Sequence, residues 1–355
     1  MVLDGESFAL NTSFFDVATA MTKGARPYQE DALISNFAFG QSYGYVILAD
    51  GMGGHAAGDV ASALVASEIY AGFKMNSDEF EEGAGHIPLI LRECAQAANE
   101  RLTTHSAKHV KTKGMGTTLL APVFSRDQLT WISIGDSPML LFRDGALRQL
   151  NKDHSMAPEI DLMVKTGLMD EEAGRNHPDR NSLTSVLTGS DIAKIDCPSS
   201  SIALMPGDIV IVATDGLQYL QNTQIANLLA VHGEQSSAAI ADKLLSALME
   251  LDAPDQDNAS FAVVKIGENF KLASALRTEA MPVLAVAESP TEATEAVAPK
   301  PAPEPAAPEK RTGLGAMFGR NKEAPKAPEP EPKAAEEEDE EGAVYYYYRG
   351  QRYKK

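Results

Sequence analysis

Short apolar runs alternate along residues 14–270 with longer stretches in which apolar residues return every three or four positions. The runs predict strands at Phe14–Met21, Ala32–Phe39, Tyr43–Ala49, Thr117–Phe124, Gln128–Ile134, Met139–Arg143, Ile202–Met205, Ile209–Ala213 and Ala259–Ile266. An Asp144-Gly145 pair between Met139–Arg143 and Ala146–Leu150 reads as a hairpin turn. The three- and four-residue spacing predicts helices over Ala56–Phe73, Ile87–Lys108, Thr223–Val231 and Ser236–Leu251. Strands cluster at both ends of this region, with a long helix pair between the early and middle ones. That order differs from the regular β-α-β-α alternation of a parallel sheet. It implies antiparallel sheets covered by helices, an α+β class, with no internal repeat.

The pattern ends near residue 270. Residues 271–355 hold 11 of the chain's 20 prolines, many in strings such as PKPAPEPAAPEK and EAPKAPEPEPKAAEEEDEE. Such a segment buries too little apolar surface to offset its ordering entropy, so it is expected to be mostly disordered. Two islands interrupt it, TGLGAMFGR at 312–320 and YYYYRGQRYKK at 345–355. Aromatic and basic residues side by side suit a partner protein. The stretch at 273–287 is apolar enough to dock on the domain, although Pro282 would interrupt a helix there. The expected organisation is one folded domain over residues 1–270 and a tail over 271–355.

Net charge is −19, and the tail, with 13 basic and 15 acidic residues, accounts for little of it. An acidic folded part argues against a binder of nucleic acid phosphates. Cys94 and Cys197 are the only cysteines, too few for a disulfide framework or a thiolate metal cluster. No stretch reaches the roughly 18–20 apolar residues of a membrane helix, and the start lacks a basic region before an apolar one. A cytoplasmic setting is the expectation.

Acids recur at the strand edges. In YGYVILADGMGGH an apolar strand runs into Asp50 and a glycine-rich turn, and IVIVATDGL repeats the arrangement with Asp215-Gly216. DQDNASFAVVKI sets Asp257-Asn258 before a third apolar strand, GARPYQEDALISN sets Arg26, Glu30 and Asp31 before another, and Asp136 follows WISIG. One such acid is an ordinary turn; five strand edges carrying acids are hard to attribute to turns. Acids brought together at a core edge repel one another unless cations neutralise them. All-oxygen ligands select a hard cation such as Mg²⁺ or Mn²⁺, and no histidine pair has the HExxH spacing of a zinc hydrolase. Two such cations beside an arginine suit hydrolysis of a phosphate ester.

The blocks RPYQED, DGMGGHAAGDVAS, GMGTTLL, IGDSPMLLFRDGAL, DHS, ATDGL and DNAS, in this order over roughly residues 14–267, resemble the metal-dependent type 2C serine/threonine protein phosphatases, particularly their bacterial members. The resemblance implies a central β-sandwich of two antiparallel sheets flanked by helices, with the metal site at one end. It implies a protein-serine/threonine phosphatase in which two Mn²⁺ or Mg²⁺ ions activate the attacking water. By that resemblance Asp50 bridges both ions, and the Gly51 carbonyl binds the second. Asp215 and Asp257 bind the first. Glu30 and Asp31 hold metal-bound waters, with Glu30 nearer the second ion. Asp136 helps bind a third ion with Asp215 shared, and Arg26 binds phosphate. Residues 154–190 fall where relatives carry a mobile flap.

Two positions depart from the family pattern. Met52 stands where animal relatives have a histidine proposed to protonate the leaving alcohol, which leaves the general acid unassigned, with His55 a candidate. Gln29 stands where Asn is usual, with little effect expected. His154 reads as a solvated or capping residue. Competing readings are an inactive phosphatase-like scaffold that binds phosphoproteins, and a hydrolase of a small phosphate ester. A retained set of clustered charges argues against the scaffold. Phosphoprotein substrates, a tail partner and a monomeric state complete the expectation.

Overall fold

The computed structural model describes residues 14–38, 41–53, 57–83, 85–267, 337–338, 344–348 and 351–354. Chain contacts divide it into two units, Met1–Ala285 and Val286–Lys355.

In the first unit, strands β1 (Phe15–Thr22), β2 (Asp31–Asn36) and β3 (Tyr43–Met52) lead into helices α1 (Gly58–Met75), α2 (Ser77–Glu82) and α3 (Ile87–Lys108). Strands β4 (Gly116–Thr117), β5 (Leu119–Ser125), β6 (Gln128–Ile134), β7 (Met139–Arg143) and β8 (Ala146–Gln149) follow, then helices α4 (Ala157–Lys165) and α5 (Glu171–Arg175). Strands β9 (Ile202–Ala203) and β10 (Ile209–Ala213), helices α6 (Asn222–His232) and α7 (Ser237–Glu250), and strand β11 (Ala259–Ile266) complete it. One sheet runs β1-β11-β10-β7-β8 and the other β2-β3-β5-β6-β9, with β4 against β3. Every pairing is antiparallel.

Strand periodicity sorts the core into three layers. Val46 and Leu48 of β3 pack between the sheets with Val210, Val212, Ala262 and Val264. Their neighbours Tyr45 and Ile47 face the other way, onto Val65, Ile69 and Phe73 of α1 and Leu91 of α3. Ile211, Phe261 and Val263 turn to the opposite outer layer, against Ile225 of α6 and Leu244 of α7. The central strands are therefore covered on both faces, which is why they read as unbroken apolar runs. The two antiparallel sheets flanked by helices are the sandwich expected above.

Several bounds coincide with the sequence reading, among them β6, β7, β10, β11 and α3. The Asp144-Gly145 turn joins β7 to β8, both residues at positive φ (52° and 76°) as a tight hairpin needs. The strand expected from Thr117 is broken at Thr118 into β4 and β5, where the Thr118 hydroxyl takes the Asp50 N–H that a backbone carbonyl would otherwise accept. The strand expected to reach Met205 stops at Ala203, since the Met205 N–H donates to Asp208 Oδ2 at 2.7 Å in a turn. Helices α2, α4 and α5 were not expected.

In the second unit, β12 (Glu337–Glu338), β13 (Val344–Tyr348) and β14 (Gln351–Lys354) form a three-stranded antiparallel sheet, so the terminal aromatic island supplies two strands. Phe39, His55, residues 273–287 and the island at 312–320 lie outside the described residues.

Candidate metal centre

Antiparallel pairing carries the acids to one end of the sandwich. Asp31 opens β2 and lies directly across from Asp50 near the end of β3. On the other sheet, Ala213 at the end of β10 pairs with Phe261 near the start of β11, so Asp215, two residues past β10, and Asp257, two before β11, share that end. Asp136 follows β6, whose Ile134 pairs with Leu119. Each sheet thus contributes acids to one bowl.

The charges there act on one another. Burial pushes Asp31 up to about 7, with Asp215 and Asp257 adding to the rise and the Thr214 hydroxyl opposing it. Ser260 also opposes it, although its Oγ makes no hydrogen bond of good geometry. Asp50 is only half-buried by surface. Its carboxyl is nevertheless held well above the usual range by desolvation first, then by Asp31, Asp215, Asp136 and Asp257. Burial likewise raises Asp215, with Asp257 adding and an Asp50 hydrogen bond, the Gly216 N–H and Arg26 opposing. Asp136 is pushed up to about 7 by burial and by the charges of Asp215 and Asp153.

Uncharged groups hold these acids in place. Thr214 Oγ1 donates to Asp31 Oδ2 at 3.1 Å, while Asp31 Oδ1 is buried with no partner. The Asp50 carbonyl accepts from the Thr118 N–H (2.9 Å) and the Thr117 hydroxyl (2.8 Å). Gly51 pairs with Thr117 and donates its N–H to the Glu30 carbonyl, which also accepts from the Ser62 hydroxyl at 2.5 Å. Gln29 bridges the Asp31 N–H and the Thr22 carbonyl (3.1 and 3.2 Å), so the residue in the usual Asn position supports a site acid. Asn258 accepts the Glu30 N–H at 2.7 Å and donates to the Lys23 and Tyr28 carbonyls. Arg26 Nη2 stands 2.6 Å from Asp257 Oδ2, with the arginine side chain 54% exposed.

One reading changes. His154 is buried, not solvated, and its Nδ1 accepts the Gly135 N–H at 3.3 Å next to Asp136. Burial lowers its pKa, which keeps the ring in the neutral form that can accept. The segment read as a flap carries α4 and α5, and Arg180 pairs with Asp161 of α4 at 2.7 Å.

Among the described residues no three His, Cys, Asp or Glu side chains close into a cage around one point. Asp257 faces Arg26 and the Asn258 N–H, Asp215 feels the charges of Asp50 and Asp257, and Asp31 is tied to Thr214. The donor set nonetheless fits a hard divalent cation: all oxygen, mutually repelling, and with one buried carboxylate oxygen unsatisfied.

Thr117, Thr118, Thr214 and Asn258 carry no charge and end no apolar run in a diagnostic way. Their motifs, GMGTTLL, ATDGL and DNAS, are the only sequence signal that could have found them.

The sequence model of the family Protein phosphatase 2C matches residues 27–256. The serine/threonine phosphatase stp of Listeria monocytogenes is 33% identical over 177 residues, covering 48% of this chain and 66% of its own. The serine/threonine protein phosphatase PstP of Mycobacterium tuberculosis is 35% identical over 170 residues, 48% of this chain and 31% of its own. The chain therefore spans less than two thirds of either curated relative. Among solved structures, M. tuberculosis PstP/Ppp superposes with a TM-score of 0.60 at 28% identity, covering 72% of this chain and 99% of that one. The PstP catalytic domain in complex with two manganese ions gives 0.57 at 27% identity, covering 72% and 99%. A family match running from Pro27, beside the loop arginine, to Gln256, next to the last acid of the bowl, shows that the chain belongs to the protein phosphatase 2C family.

Proposed function

We propose that this chain is a protein-serine/threonine phosphatase that depends on two Mn²⁺ or Mg²⁺ ions. The observation that carries the reading is the junction of Asp31 and Asp50 from one sheet with Asp215 and Asp257 from the other, around a buried carboxylate oxygen that has no partner. Asp50, Asp215, Asp257 and the Gly51 carbonyl would hold the ions, with Asp136 serving a third. When bound, such ions acidify water and neutralise charge on phosphoryl oxygens.

The chain's own residues supply the rest. Glu30 and Asp31 would orient water beside the ions, Asp31 through the carboxylate oxygen that Thr214 leaves free. Arg26, half-exposed on its loop, presents N–H donors to a phosphoryl group. Met52 is 40% exposed and offers no proton. The His154 Nδ1 is occupied by the Gly135 N–H. Water held by Glu30 and Asp31 is the proton source for the leaving alcohol in this proposal, with His55 the alternative donor.

The finer assignments belong to the same proposal: a catalytic domain over residues 1–270, a tail over 271–355 that recruits a partner protein, and a monomer that acts in cytoplasmic signalling. The tail's proline-rich composition and aromatic island support the division. Among the described residues no helix is long and apolar enough to cross a membrane.

The test is phosphate release from a phosphothreonine peptide by the full chain. Release is expected with added Mn²⁺, and neither with chelator nor from Asp50→Asn. Undiminished release in chelator overturns the proposal.

A further inference from the structure

The bend that carries Arg26 rests on one turn, that of Asp257 and Asn258, while Gln29 and the Glu30 carbonyl are also tied to Thr22, Gly51 and Ser62. Lys23 to Arg26 form a tight bend in which the Arg26 N–H donates to the Lys23 carbonyl at 3.1 Å. The Ala25 N–H donates to the Gln256 carbonyl at 2.9 Å. Gly24 has φ +56°, and a Cβ there would stand 2.3 Å from the Asp257 carbonyl oxygen, so the bend lies directly on that backbone. Asn258, 5% exposed, closes the arrangement from beneath. Its Nδ2 donates to the Lys23 carbonyl at 3.0 Å and the Tyr28 carbonyl at 2.9 Å, and its Oδ1 accepts the Glu30 N–H at 2.7 Å.

Three polar backbone groups from both sides of Arg26 thus converge on one buried amide. An amide is suited to this, since it offers two donors and an acceptor, while a carboxylate of the same shape offers none of the donors. The residue before it in sequence is Asp257, the acid to which Arg26 is paired.

We propose that Asn258 is a positioning residue. It sets the phosphate-facing arginine and Glu30 in register with the cation-facing Asp257, so that anion and cation recognition are placed by a single side chain. The inference rests on the phosphatase reading above. It predicts that loosening the amide harms recognition of the phosphoryl group more than it harms the fold. Misplacement on the order of 1 Å around a reacting centre is enough to lower rate about 100-fold.

The experiment uses the full chain with Mn²⁺ and compares wild type, Asn258→Ala and Asp16→Asn. Asp16 accepts from the Ser237 N–H and hydroxyl at the opposite end of β1, so its variant reports fold damage alone. Asn258→Ala is expected to raise KM for a phosphothreonine peptide, and Ki for inorganic phosphate, by about tenfold or more. Two Mn²⁺ ions should still bind by calorimetry. Asp16→Asn is expected to lower Tm and leave both constants near wild type. Unchanged KM and phosphate Ki in a folded Asn258→Ala overturn the proposal, as does an equal rise in Asp16→Asn. Hydrogen exchange on the wild type is a second measurement that needs no variant. The Glu30 amide should be protected, and its free exchange at the rate of an exposed loop also overturns the inference. A wild type that releases no phosphate with Mn²⁺ instead defeats the phosphatase reading, and Glu30 protection then still decides whether the loop is fastened.

Discussion

Asp31 and Asp50 stand directly opposite one another across the β2–β3 pair, two acids at a position where like charges destabilise a sheet. Without a cation this pair works against folding. Asp31 and Asp136 are both pushed up from 3.8 to about 7. A raised carboxyl binds its proton more tightly in the folded chain than in the unfolded one. Its contribution to stability is therefore complete below pH 4 and lost as pH rises through about 7. Metal-free protein should show a higher Tm at pH 5 than at pH 8 in buffers of equal ionic strength. A Tm that climbs over that interval would contradict the assignment.

Cations and protons compete for these oxygens. Apparent Mn²⁺ affinity should fall as pH drops below about 7, and binding should release protons. Calorimetry in two buffers of different ionisation enthalpy measures that release directly.

Replacing Asp50 separates chemistry from folding. Asp50→Asn removes a charge that four other acids oppose, so the metal-free variant should melt above wild type. Turnover with Mn²⁺ should fall on the order of a thousand-fold, as loss of several kcal/mol of transition-state stabilisation implies. Scanning calorimetry and a peptide assay on the same sample test the pairing of gain and loss.

Arg26 has a smaller share. Loss of charge-assisted hydrogen bonds worth about 1.5–3 kcal/mol predicts that Arg26→Ala lowers kcat/KM roughly 10- to 100-fold. Steady-state kinetics on a phosphothreonine peptide checks it, and Arg26→Lys should recover only part, since an ammonium lacks the two-pronged geometry.

The backbone beneath the acids is equally exacting. A Cβ on Gly216 would lie 1.9 Å from the Asn258 carbonyl oxygen. Gly216→Ala should cost about 1–3 kcal/mol of stability and weaken Mn²⁺ binding together, read by urea melts and calorimetry.

These features were unequally legible in the sequence. β10 and β11 were plain because both faces of each are covered, so the strands are unbroken apolar runs ending at an acid. Helix α4 was not, since Ile160, Met163 and Val164 keep helical spacing for little more than one turn within nine residues. The acids of the bowl could be picked out because a charge at a core edge demands an explanation. Asn258, Thr214 and Thr118 act through hydrogen bonds to residues as many as 235 positions away, and no local pattern announces such a partner. The burial of His154 was missed for the same reason, although its acceptance of the Gly135 N–H agrees with a capping role.

Because the acidic bowl takes its walls from two different sheets, a divalent ion seated there would act as a rivet at that rim of the sandwich. At the other rim Arg143 of β7, paired with Asp208 beside β10, already reaches across to the other sheet by donating to the Ala203 carbonyl of β9 at 2.9 Å. Stripped of cations, the protein should breathe asymmetrically, its repelling lips parting while the clasped rim stays shut.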